Sequence, residues 1–158
     1  MNYEINYETQ LIIPIGKNSS KVIEQEDEYF IKNNTLNILE HSCEYFGSSF
    51  EGRKEGTKKL LGITHKSPII IEESRKIIFF PTTSPEKEDC IWINLDKIDK
   101  YYKSGNRKST ILFKNGDSID FDVSIGSLTN QILIFWFFNT PTHQLNYTTK
   151  RHIKKDNL

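Results

Sequence analysis

The chain is predicted to fold as a single α+β domain, a mostly antiparallel sheet with two helices packed on one side. Three observations carry this. Short apolar runs of β type recur between turn residues, and one pair is joined by Asn115-Gly116, a dipeptide suited to a tight hairpin. Leu36, Leu39, Cys43, Phe46 and Phe50 follow one another at steps of three and four, the spacing of one helical face. A second helical stretch, about 127–138, carries Leu128, Ile132, Phe135, Trp136 and Phe138 and is apolar on most sides.

The elements follow in order. Leu11-Ile12-Ile13 is a strand stopped by Pro14 and Gly16, and Val22-Ile23 with Tyr29-Phe30-Ile31 form a hairpin about a charged tetrad. Asn33-Asn34-Thr35 supplies a turn and an N-cap for a helix over about 36–46, with Cys43 on its buried face. Pro68–Ile71 and Ile77–Phe80 are strands joined by a turn at Glu73–Lys76. Cys90–Leu95 is a further strand after a polar loop. Ser109–Lys114 and Ser118–Val123 flank Asn115-Gly116, expected to form a type I′ turn with both residues at positive φ. The 127–138 helix is expected to be buried or to lie at a subunit contact, and residues 140–158 read as a polar, basic tail. Residues 1–139 are therefore expected to form one domain.

Composition sets outer bounds. The 158 residues suffice for one domain with a core, and 27% charged against 36% hydrophobic residues is globular composition. Formal net charge is zero, yet residues 1–51 carry a net −6 and residues 52–158 a net +6. Basic residues cluster at 53–59, at Arg107-Lys108 and at 150–155. Such polarity permits a basic face on a neutral protein. The N-terminus has no apolar signal region, and the longest apolar run, Ile132–Phe138, is too short to span a bilayer. Two cysteines make no disulfide framework, so a cytoplasmic, reduced protein is expected.

The segment Ser42–Thr57 is the most informative for chemistry. Gly47, Gly52 and Gly56 are spaced through hydroxyls and cations, as if the backbone approached a polyanion. Gly47-x-x-x-x-Gly52-Arg53-Lys54 nearly matches a phosphate-binding P-loop. However, Arg53 and Lys54 stand where Lys and a metal-binding hydroxyl are required, and a helix rather than a strand precedes it. His41, His65, His143, His152, Cys43 and Cys90 show no metal-ligand spacing, and no Gly-x-Ser-x-Gly elbow is present. No catalytic residue, cofactor or metal is assigned. Nucleic acid fits better. Arg53, Lys54, Lys58, Lys59 and Lys66 can meet phosphates, with Arg53 suited to a narrow minor groove. Ser48, Ser49 and Thr57 can donate to phosphate oxygens, and Arg75 and Lys76 at a hairpin tip are further candidates. The plainer alternative is a glycine-rich connection with solvated charges.

Several blocks resemble the ComK family of competence transcription factors. These are Ser42-Cys43…Phe46-Gly47-Ser48-Ser49…Gly52-Arg53-Lys54…Gly56-Thr57, the run Ile63–Ile69, Phe80-Pro81-Thr82, Cys90-x-Trp92-Ile93, Phe113-x-Asn115-Gly116 and Asn130-Gln131. The resemblance spans about 36–138. It implies a nucleoid-associated transcriptional activator of DNA-uptake genes, self-associating on paired AT-rich boxes with minor-groove contacts. RNA polymerase is then a further partner. Family members are controlled by an adaptor and a Clp protease that recognise a C-terminal region. That longer extension has no counterpart after Phe138, so a short or divergent paralogue is expected. A second reading follows: a relative that modulates a full-length activator by hetero-association.

Overall fold

The computed structural model describes residues 2–62 and 66–139. Among these residues the strands are β1 (Thr9–Pro14), β2 (Ser20–Glu24), β3 (Glu28–Ile31), β4 (Ile69–Glu72), β5 (Ile77–Pro81), β6 (Trp92–Asn94), β7 (Ile98–Gly105), β8 (Lys108–Phe113) and β9 (Ser118–Phe121). The helices are α1 (Thr35–Tyr45), α2 (Phe50–Leu61) and α3 (Ile125–Asn139), and a short 3₁₀ turn covers Leu95–Lys97. A six-stranded sheet has the order β3-β2-β1-β6-β5-β4 and a three-stranded sheet the order β7-β8-β9. All of these pairings are antiparallel. The α+β reading holds.

The apolar runs of the sequence now have a cause. The larger sheet is covered on both faces, so neighbouring residues of one strand enter different cores. Ile12, Val22, Ile31, Ile69, Ile71, Ile77, Phe79 and Trp92 pack with Ile38, Leu39, Cys43 and Phe50 of α1 and α2. Leu11, Ile78, Phe80 and Ile93 pack instead with Ile111, Phe113 and Phe121 of the smaller sheet and with Leu128 of α3. Helices thus lie on both sides of the large sheet. This corrects the expected one-sided arrangement, because a second sheet with α3 against it is needed to cover the face bearing Leu11, Phe80 and Ile93.

Three further expectations are corrected. The described residues form three helices, not two: the glycine- and cation-rich segment after α1 is itself helical. Gly47, at φ +77°, ends α1, and Ser49 caps α2 by accepting a hydrogen bond from the Gly52 N–H at 2.9 Å. Phe50 then packs edge-on against Trp92, ring centroids 6.1 Å apart, and anchors the start of α2 on the sheet. Two helical glycines cost roughly 1 kcal/mol each relative to alanine, and burial of Phe50 offsets this by a similar amount. Second, the sequence reading omitted β7. It is an edge strand whose outer side chains are solvated, so it has no apolar run to announce it. Third, Asn115-Gly116 is not a type I′ turn, since only Gly116 has positive φ (+99°). The Asn115 side chain is engaged elsewhere: its Oδ1 accepts from the Asp117 N–H at 3.0 Å and its Nδ2 donates to the Gln25 carbonyl at 2.8 Å. That second bond ties the β8–β9 turn to the acidic β2–β3 turn. The α3 helix is only partly covered, which leaves the expected subunit contact open to it. Leu128 is fully buried while Leu133 and Trp136 are exposed. The expectations for the side chains of Phe135 and Phe138, and for the 140–158 tail, lie outside the described residues. No helix among the described residues is long and apolar enough to cross a membrane.

Candidate nucleic-acid interface

The basic segment is presented by α2, whose inward face is set by Phe50, Arg53 and Thr57 at helical steps. Thr57 is buried, and its hydroxyl donates to the Arg53 carbonyl one turn earlier at 3.0 Å. Arg53 is also drawn inward. Its side chain is 23% exposed and its Nη1 lies 3.7 Å from Glu73 Oε1 in the β4–β5 turn. Its Nε is buried without a hydrogen-bond partner among the described residues. The guanidinium lies close enough to Cys43 to oppose the upward shift of that thiol, which burial pushes up to about 11. For Arg53 to enter a groove, it must leave Glu73 and this shelter.

The lysines behave differently. Lys58 and Lys59 are exposed on the last turns of α2, where positive charge complements the helix C-terminus. Gly62 closes that end in the left-handed conformation, its N–H donating to the Lys58 carbonyl at 2.7 Å. Lys54 is half-buried and shares a depression of about 170 Å³ with Lys66, Ser67, Ser84 and Glu86. Lys66, at φ 51°, is fixed through its carbonyl, which accepts from Gln131 Nε2 of α3 at 2.8 Å. The fold therefore brings Lys54 and Lys66 together although twelve residues separate them.

The hydroxyls have structural duties. Ser49 caps α2, while Ser48 is half-buried in the α1–α2 turn and its N–H donates to the Cys43 carbonyl at 2.9 Å. Arg75 and Lys76 sit at the exposed β4–β5 turn, with Lys76 at φ 57°. That turn is held by Glu72, which accepts from the Ser74 hydroxyl at 2.7 Å and from the Arg75 N–H at 2.7 Å. These bonds, the Ser74 hydroxyl first, hold the Glu72 carboxyl below its ordinary value. Arg75 lines a depression with Glu4, Tyr45 and Phe46, away from Lys54 and Lys66.

No group of three His, Cys, Asp or Glu side chains among the described residues could hold a metal ion. The arrangement offers exposed cations on a rigid support, which suits phosphate binding.

A family model described as ComK protein matches residues 1–149. The chain belongs to the ComK family. The match covers every candidate residue of this ComK-family chain and runs past 139, where the domain was expected to end. The competence transcription factor of Bacillus subtilis (strain 168) is 34% identical over 134 residues, covering 83% of this chain and 70% of that protein. No solved structure matches. Sequence reasoning passed over the cations of the β7–β8 hairpin, Lys100, Lys103, Arg107 and Lys108, although Arg107-Lys108 stood out as a basic cluster.

Proposed function

We propose that this chain is a competence transcription regulator that activates DNA-uptake genes by binding AT-rich duplex DNA, the described residues forming the DNA-binding domain and 140–158 a basic tail. Its membership of the ComK family, together with a relative named a competence transcription factor, carries this reading. Three exposed lysines and one half-buried one support it. Lys54, Lys58, Lys59 and Lys66 are the proposed phosphate contacts, with Arg75 and Lys76 reaching the backbone from their own turn. Arg53 acts through position, holding α2 to the β4–β5 turn in the free protein. Self-association on paired boxes and contact with RNA polymerase belong to the same reading.

Binding to an AT-rich duplex across a salt series tests it. The logarithm of the affinity should fall linearly with the logarithm of salt concentration. Lys58→Gln with Lys59→Gln should flatten that slope by about 1.8, at roughly 0.9 per lost phosphate contact. A wild-type protein that ignores the duplex at low salt sinks the reading. An Arg53→Ala variant that loses all binding while keeping its fold would return Arg53 to the groove.

A further inference from the structure

Among the described residues, the non-glycine positions at positive φ are Lys66 (51°), Lys76 (57°) and Arg107 (56°). All three are cations, and all are exposed. A side chain in the left-handed region costs roughly 1 kcal/mol, a cost glycine escapes and asparagine reduces. At the β7–β8 turn both cheaper residues are present but one and two positions away. Gly105 and Asn106 occupy positions without positive φ, and Arg107 holds the position that has it. Residues in this region cluster at functional sites, and a hairpin turn also uses the conformation for closure, so the choice of Arg over Gly or Asn here is the informative part.

Arg107 is not alone. Lys100, Lys103, Arg107 and Lys108 lie on one hairpin with no acidic residue between Lys100 and Lys108. All four are exposed, and none forms an ion pair among the described residues. Lys108 borders a depression with Asp89, Asp120 and Asp122, so its charge is partly offset.

The hairpin is firmly seated. Ser109, Thr110 and Ile111 are buried at its base, and the Ser109 hydroxyl donates to the Val123 carbonyl at 2.6 Å. Pairing with β9 ends at Ser109–Phe121, opposite Lys103, so the turn bearing Asn106 and Arg107 with its closing pair Gly105–Lys108 lies beyond β9. The β5–β6 connection runs from the depression holding Lys54 and Lys66 to the one holding Lys108. Ser84, Pro85 and Glu86 line the depression with Lys54 and Lys66, while Thr82, Thr83, Asp89 and Ile91 line the one beside Lys108.

We infer that the β7–β8 hairpin is a second nucleic-acid contact, with Arg107 and Lys103 engaging the phosphate backbone of the duplex already engaged through α2. This rests on the duplex-binding reading above. The test uses Arg107→Gly combined with Lys103→Gln in the full chain, beside wild type and the Lys58→Gln/Lys59→Gln variant. Glycine suits the backbone at 107, so the variant should unfold at a temperature no lower than wild type. Its salt slope on an AT-rich duplex should flatten by about 1.8, and its affinity near 0.1 M salt should fall about tenfold or more. Arg107→Lys should restore most of that loss. Wild-type slope and affinity in the hairpin variant, with binding lost in the α2 variant, overturns the hairpin contact and leaves the proposed function standing. A wild type that binds no duplex removes both. Arg107-dependent binding that favours single-stranded RNA of the same sequence also overturns the contact.

Discussion

Cys43 shows how one buried atom reports on the whole packing. Its side chain is fully enclosed between α1, α2 and the sheet, and burial lifts its thiol from 9.0 to about 11. Below pH 9 the thiol is protonated in both folded and unfolded chains. Above it the unfolded chain ionises first, so the stability due to this group is lost as pH rises from 9 towards 11. That rise corresponds to about 2–3 kcal/mol at the alkaline end. Tyr3 acts in the same direction, its hydroxyl pushed up by burial and by its hydrogen bond to Glu24. Chemical denaturation between pH 8 and 11 should show wild type losing stability more steeply than Cys43→Ala, and matching slopes would contradict the buried-thiol picture. Cys90 is also buried and raised, again chiefly by burial, so neither thiol should react with Ellman's reagent until the chain unfolds. Cys43's place was legible because it falls in the three-four spacing with Leu39 and Phe46. Arg53's inward turn was not, since its partner Glu73 is twenty residues distant and nothing local points to it.

At the scale of the element, α2 is where sequence and structure part. Three glycines near cations look like a flexible cradle, yet they differ in kind. Gly47 needs its left-handed φ, whereas Gly52 and Gly56 are ordinary helical residues. A Cβ on Gly56 would meet nothing within 4 Å, so Gly56→Ala should stabilise the protein by about 1 kcal/mol through helix propensity alone. A Cβ on Gly52 would lie 2.8 Å from Ser49 Oγ, the capping atom. Gly52→Ala should therefore gain nothing, because displacing the cap costs about as much as the propensity supplies. Thermal midpoints of the two variants, with helical circular dichroism, distinguish the helix from a loop. Stabilisation by neither would argue for the loop. The helix was hidden because its inward face carries only Phe50, Arg53 and Thr57 among the described side chains, two of them polar. The edge strand β7 was hidden for the related reason that Lys100, Tyr102 and Lys103 face water.

For the whole molecule, the large sheet is the shared wall of two cores. Consecutive apolar residues announced the strands, since a doubly covered sheet leaves no polar alternation to read. The same feature concealed the arrangement, because Ile77–Phe80 gives no sign of which residues meet helices and which meet another sheet. Phe79 faces α1 and α2, while Phe80 faces β8, β9 and α3. Both are essentially without exposure, at 0% and 1%. Truncation of either to alanine should cost about 3–5 kcal/mol. Because adjacent residues of one strand, β5, serve both cores, a loss on either side must weaken the same sheet. Phe79→Ala and Phe80→Ala should each lower the midpoint of a single transition, observed alike by far-ultraviolet circular dichroism and by Trp92 and Trp136 fluorescence. If Phe80→Ala instead split the melt in two, with the smaller sheet and α3 released first, the cores would be separable. The β7–β8 hairpin would then be carried by a unit that unfolds independently of the α2 lysines. A single transition means that both basic surfaces are held on one support, as a duplex touching both requires.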